Sequence, residues 1–143
     1  MDALELRERG AGLLAPVLEP HGFRFVAGEA DRGSGGLFAQ GAFVRGARRL
    51  EFSARYALGE VLYRAPSVAL SHADYMRVVA GGERPAYPGF SDNPLDGFRH
   101  LATDLGRFGA VFLVGADAEF AAVAAQADHT RPPSGFAALR RAR

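Results

Sequence analysis

Apolar and polar residues recur along this chain first with a helical period, then with a strand period, then with a helical period again. In residues 2–21, Leu4, Ala11, Leu14 and Leu18 fall at helical spacing, with Glu5, Arg7, Glu8 and Arg9 between them. Gly10 and Gly12 weaken that helix, and Pro16 predicts a kink or a second short helix. Gly22 is placed to end the element as a left-handed cap. From Phe23 the period falls to two. Phe23 and Phe25 flank Arg24, and Arg32-Gly-Ser-Gly-Gly36 reads as a loop. A second strand spans Leu37 to Val44, where Phe38 and Phe43 have opposite parity and Gly41 predicts a bulge. Gly46-Ala47 then forms the centre of a tight hairpin.

The third strand has the clearest alternation. Leu50, Phe52, Ala54, Tyr56 and Leu58 share one face, and Glu51, Ser53 and Arg55 the other. Gly59-Glu60 is the predicted next turn. A fourth strand runs from Val61 to about Leu70, with Pro66 confining its middle to an edge position or a break. Beyond it the pattern is helical. Ser71 is an N-cap with Asp74 in the first turn of a short helix to about Ala80, stopped by Gly81-Gly82. The loop Pro85-Ala-Tyr-Pro-Gly-Phe90 leads to Asp92 and Asn93 as caps, with Pro94 at the first helical position. Leu95, Phe98, Leu101, Ala102, Leu105 and Phe112 form the apolar stripe of the longest helix, and an Ala-rich helix from about Asp117 to Ala127 follows Gly115.

These elements predict one α+β domain over residues 1–128: an N-terminal helix, a four-stranded antiparallel meander, then two or three helices on one face of the sheet. The helices should cover the face carrying Phe23, Phe25, Phe52, Ala54 and Tyr56. The other face would present Arg24, Glu51, Ser53, Arg55 and Arg64. Residues 129–143 read as a basic, loosely held tail.

Composition removes several chemistries. The 143 residues include no cysteine, which excludes thiol catalysis, disulfides and thiolate metal sites. All 17 basic residues are arginine, so Schiff-base and phosphate-loop lysines are excluded too. No apolar run has the length of a bilayer span, and the charged N-terminus lacks a signal-peptide core, so a cytoplasmic location without membrane contact is expected. The net charge of +1 is unevenly placed. Residues 65–128 hold four arginines against eight acids, while residues 129–143 hold four arginines and no acid.

Ionisable groups are densest between Ser71 and Leu105. Asp96, His100 and Asp104 stand at successive i, i+4 positions, a spacing that could hold a metal or a general base. Arg99, Thr103 and Arg107 nearby make a solvated helix face the preferred reading, and no metal or cofactor is expected. Ser71, His72 and Asp74 lie on one turn, which cannot converge as a catalytic triad. Candidate ligand-binding residues are therefore His72, Tyr75, Tyr87, Asp96 and His100, sharing a pocket if the two helices lie side by side. Candidate partner-binding residues are the acids Asp74, Asp92, Asp96 and Asp104. Arg24, Arg55 and Arg64 could track a nucleic-acid backbone, but aromatics for stacking are predicted on the opposite face.

The order of elements and the entry Leu14-x-x-Val17-Leu18-x-x-x-Gly22-Phe23 are similar to small bacterial α+β proteins, including immunity-type proteins that neutralise a partner toxin. That resemblance covers mainly the first 70 residues and implies a non-enzymatic protein-binding module. Its acidic helical surface would meet a basic protein partner through charge complementarity. The alternatives are a small enzyme or ligand-binding protein with a pocket around His72, Tyr87 and His100, and a nucleic-acid binder through the arginine-bearing sheet face. Nothing in the sequence selects between monomer and homodimer.

Overall fold

A computed structural model describes residues 1–33, 36–89 and 91–130. An N-terminal helix precedes a five-stranded antiparallel sheet, and the remaining helices follow it. Helix α1 (Ala3–Leu18) is capped by Asp2, whose carboxylate accepts the Glu5 amide at 2.8 Å. It continues unbroken past Pro16, near its C-terminal end, although proline there can donate no amide to the carbonyl of Gly12. Its buried arc is Ala3, Leu6, Gly10, Ala11, Leu14 and Leu18; Leu4, expected inside, lies exposed at the edge of that arc. A 3₁₀ turn (Glu19–His21) leads to Gly22, whose φ of 87° turns the chain into the sheet.

The strands β1 (Arg24–Gly33), β2 (Gly36–Arg45), β3 (Arg48–Ala54), β4 (Leu58–Ala65) and β5 (Val68–Ser71) lie in the order 1-2-3-4-5. The two-residue hairpin at Gly46-Ala47 forms as expected, with Gly46 at φ 58°. The predicted fourth strand is in fact two. Pro66 and Ser67, the latter at φ 68°, turn β4 back on itself to make β5. The expected bulge at Gly41 is absent, and β2 pairs with β3 in unbroken register. Gly41 is needed for space: an added Cβ would come within 2.8 Å of both the Phe25 and Phe52 rings. The irregularity lies instead in β1, between Ala27 and Ala30.

The third strand ends at Ala54, four residues earlier than its alternation to Leu58 suggests. Residues 55–57 form the turn that was expected at Gly59-Glu60. Tyr56 is consequently not core but 75% exposed, and Arg55, just beyond the strand, lies over the Phe38 ring beside Gln40 and Ser53.

Helices α2 (His72–Val79), α3 (Asp96–Phe108), α4 (Ala110–Leu113) and α5 (Asp117–Thr130) complete the covered side. Ser71 caps α2 by accepting the Asp74 amide at 3.1 Å. Helix α3 starts after Pro94 rather than at it, because Asn93 closes a side-chain turn onto the Leu95 amide. It is shorter than α1 and breaks at Gly109, so Phe112 belongs to α4. Helices α1 and α3 pack together, α1 against β1, β2 and β3, and α2 and α5 lie against β4 and β5. The core between the layers is aromatic: Tyr63 stacks on Tyr75 and meets Phe112 edge-on, each at 4.8 Å between ring centres. The tail expected at 129–143 lies, from residue 131, outside the described residues.

Candidate functional site

The junction between β5 and α2 carries the densest polar arrangement. Because Ser71 is both the last strand residue and the helix cap, His72 becomes the first helical residue and points beneath the sheet. There it meets Tyr63 of β4 and Asp104 of α3. The His72 Nε2 lies 2.8 Å from Asp104 Oδ2, and Nδ1 lies 2.6 Å from the Tyr63 hydroxyl. An acceptor-only carboxylate requires Nε2 to donate, which leaves Nδ1 to accept from the Tyr63 O–H. Asp104 also accepts the Ala86 amide at 2.7 Å on Oδ1 and the Tyr87 amide at 2.9 Å on Oδ2. The carboxylate thereby fixes the loop between α2 and α3, whose Tyr87–Pro88 peptide is cis. The Tyr87 hydroxyl donates to the Leu58 carbonyl at 2.9 Å and also meets that of Gly59.

Burial is nearly complete: Tyr63 is 0%, His72 3% and Asp104 2% exposed. Burial lowers the His72 pKa, with Asp104 opposing it by hydrogen bond and charge. Burial raises the Tyr63 pKa well above the phenolic range, with the neighbouring Tyr75 and Asp104 adding to it. Tyr75 is pushed up to about 12 by burial, and its hydroxyl donates to the Phe108 carbonyl at 2.8 Å, closing the end of α3. A hydroxyl, an imidazole and a carboxylate in this order could in principle activate a nucleophile. Here the hydroxyl faces packed aromatic rings, and no reacting atom has access to it.

The structure thus brings together His72, Tyr75 and Tyr87 among the expected ligand-binding residues, sets His100 against the loop that carries Tyr87, and leaves Asp96 at the surface. His72 and Tyr87 lie 5.9 Å apart between ring centres. His100 is half-buried against the loop, so that a Cβ on Gly89 would stand 2.8 Å from its Nδ1, an atom with no hydrogen-bond partner among the described residues. Asp96 stays at the surface, where the Ser91 hydroxyl and then Arg99 hold its carboxyl below the usual range. The solvated face predicted for Asp96, His100 and Asp104 is corrected at Asp104, which is buried and cannot meet a partner. Residues four apart precess about 40° around a helix axis, so the row drifts from solvent into the core within two steps. Asp104 lies three residues after Leu101 and four before Phe108, a placement on the apolar arc that was legible beforehand. Tyr63 was not, because its role depends on which strand lies opposite α2.

The other acids are largely neutralised where they stand. Asp74 pairs with Arg77, Glu83 with Arg107, Asp96 with Arg99 and Asp117 with buried Arg48. Asp92 is exposed. Among the described residues no group of three His, Asp or Glu side chains is arranged to hold a metal ion, and no helix is long and apolar enough to cross a membrane.

The open sheet face presents the concave surface. A cleft of about 480 Å³ runs across it, lined among others by Val26, Gln40, Ala42, Ser53 and Leu62. Glu51 sits within it between Arg49 at 3.0 Å and Arg64 at 2.8 Å. Partial burial works to raise the Glu51 pKa, but the hydrogen bonds from Arg64 and Arg49 outweigh it and hold the carboxyl low. No protein-family profile, curated protein or solved structure matches the chain.

Proposed function

We propose that this protein is a non-enzymatic protein-binding module that receives its partner on the open face of the sheet. The observation that carries the reading is a contrast between two polar clusters. The His72 cluster is closed on itself inside the core, whereas the cleft on the sheet is open and lined by both apolar and polar side chains. Val26, 42% exposed, and the half-buried Leu62 supply apolar contact in that cleft. An antiparallel sheet can leave one face to solvent or to a partner. An immunity-type role, covering a toxin without chemistry, would be one form of this function, and the Gly22-Phe23 entry supports it.

The test is tagged co-purification from the native host, comparing the wild-type chain with a Val26→Glu/Leu62→Glu double variant. A stoichiometric protein retained by the wild type and lost from a folded double variant is the expected result. Equal retention by both, or no partner for either, would remove the reading.

A further inference from the structure

The register of the sheet sorts the open face into rows. One cross-strand row reads Arg24, Val44, Arg49, Arg64 and Ala69, each residue paired with the next. The adjacent row reads Val26, Ala42, Glu51, Leu62 and Ser71. Neighbouring strands stand about 4.8 Å apart, so the three guanidinium groups of the first row are spread over roughly 15 Å. Arg49 and Arg64 are directly opposite, a like-charge pairing that costs stability unless bridged. Glu51 bridges the two. Exposed Arg24 has no ion pair among the described residues. Three cations thus flank a row whose members besides Glu51 are mainly aliphatic, with Glu60 as a second carboxylate on the cleft.

Resting on the open-face reading, we infer that the partner presents an acidic and aliphatic protein segment, its carboxylates over Arg24, Arg49 and Arg64 and its aliphatic groups over Val26 and Leu62. Charge complementarity of this kind selects partners and speeds encounter. A nucleic-acid strand fits less well. The two rows carry no aromatic ring on which bases could stack. Glu51 acts as an internal competitor: a partner carboxylate must share Arg49 and Arg64 with it, while Arg24 has no such competitor among the described residues.

The probe is a fluorescein-labelled synthetic peptide alternating glutamate with valine, titrated with the full chain by fluorescence anisotropy. A matching glutamine–valine peptide and a single-stranded DNA oligonucleotide serve as comparisons. The glutamate peptide should bind, weaken with salt, and exceed its glutamine counterpart by roughly tenfold. Arg24→Ala should weaken it by roughly threefold to tenfold, and Glu51→Gln should tighten it several-fold by releasing both arginines. No binding of the glutamate peptide, equal binding of the glutamine peptide, weaker binding by Glu51→Gln, or preference for the oligonucleotide would each overturn the inference. So would a dimer in sedimentation that Leu62→Glu dissolves, which would assign the face to a second copy. If the co-purified partner depends on Val26 and Leu62 but ignores Arg24→Ala and Glu51→Gln, the open-face reading stands and the acidic segment falls.

Discussion

Arginine does much of the joining in this lysine-free chain. Arg48, buried beneath the sheet, donates to the carbonyls of Phe112 and Gly115 at 2.9 and 2.8 Å and pairs with Asp117, linking β3 to the end of α4 and the start of α5. Arg7 reaches from α1 to the carbonyls of Gly28 and Gln40, beside the irregularity in β1. Arg45 donates to the carbonyls of His21 and Leu113. A planar fork of donors suits backbone carbonyls left free at element ends. The one buried histidine works differently, because neutral imidazole both donates and accepts. Protonated His72 would turn Nδ1 into a donor facing the Tyr63 hydroxyl, which then loses its acceptor. Its pKa is lowered on folding, so the unfolded chain binds the proton more tightly and stability must fall as pH drops. The contribution is full above the unfolded value near pH 6.5 and is lost as pH falls through the lower folded value. Urea unfolding of the wild type should lose up to about 1.4 kcal/mol per pH unit below that point. His72→Gln, less stable at neutral pH, should lack this component; an unchanged pH slope would assign it to another group.

Between elements, close approach is set by small residues. Helix α1 meets α3 at Gly10, where an added Cβ would lie 2.3 Å from the Phe98 ring. Gly10→Ala should therefore lower stability by about 1–3 kcal/mol through overpacking, although alanine alone favours a helix by about 1 kcal/mol. Thermal unfolding of Gly10→Ala, and of Gly10→Ala with Phe98→Leu, separates these terms. The second variant should recover part of the loss, and a stabilised single variant would show that the helices can move apart. The turn at Pro66-Ser67 acts on the same scale. A strand pattern that ran on through Pro66 was already marked as an edge or a break, and the ring with its fixed φ settled on the break.

Across the whole molecule, Asp104 ties together three parts that are distant in sequence. Its carboxylate meets α2 through His72, β4 through His72 and Tyr63, and the preceding loop through two amides. Asp104→Ala would leave a buried imidazole and two amides unpaired, a loss of about 3–5 kcal/mol. That is a large share of the roughly 5–15 kcal/mol holding a typical domain. Chemical denaturation gives the magnitude, and hydrogen exchange should show the Ala86 and Tyr87 amides losing protection first. Protection retained in a stable Asp104→Ala variant would mean that the loop is held by Tyr87 packing instead.

Local signals along the chain determined the fold class, the helix at the start, the hairpin at Gly46-Ala47, the capping by Ser71 and the order of strands. Each depends on side-chain period or backbone preference within a few residues, so each is written in sequence. The strand end at Ala54 and the exposure of Tyr56 were not, because alternation continues past the last paired residue and only the partner strand decides where pairing stops. The site changed most. His72, Tyr87 and Asp104 were singled out by their chemistry, yet Asp104 was set apart from His72 on a surface, and Tyr63 was absent from the set. Burial of a carboxylate depends on what covers its helix, and opposition of Tyr63 to His72 depends on how β4 and α2 pack. The arginine row on the open face likewise exists only through strand register. Tertiary structure alone decided which ionisable groups became a sealed core and which stayed on the open face of the sheet.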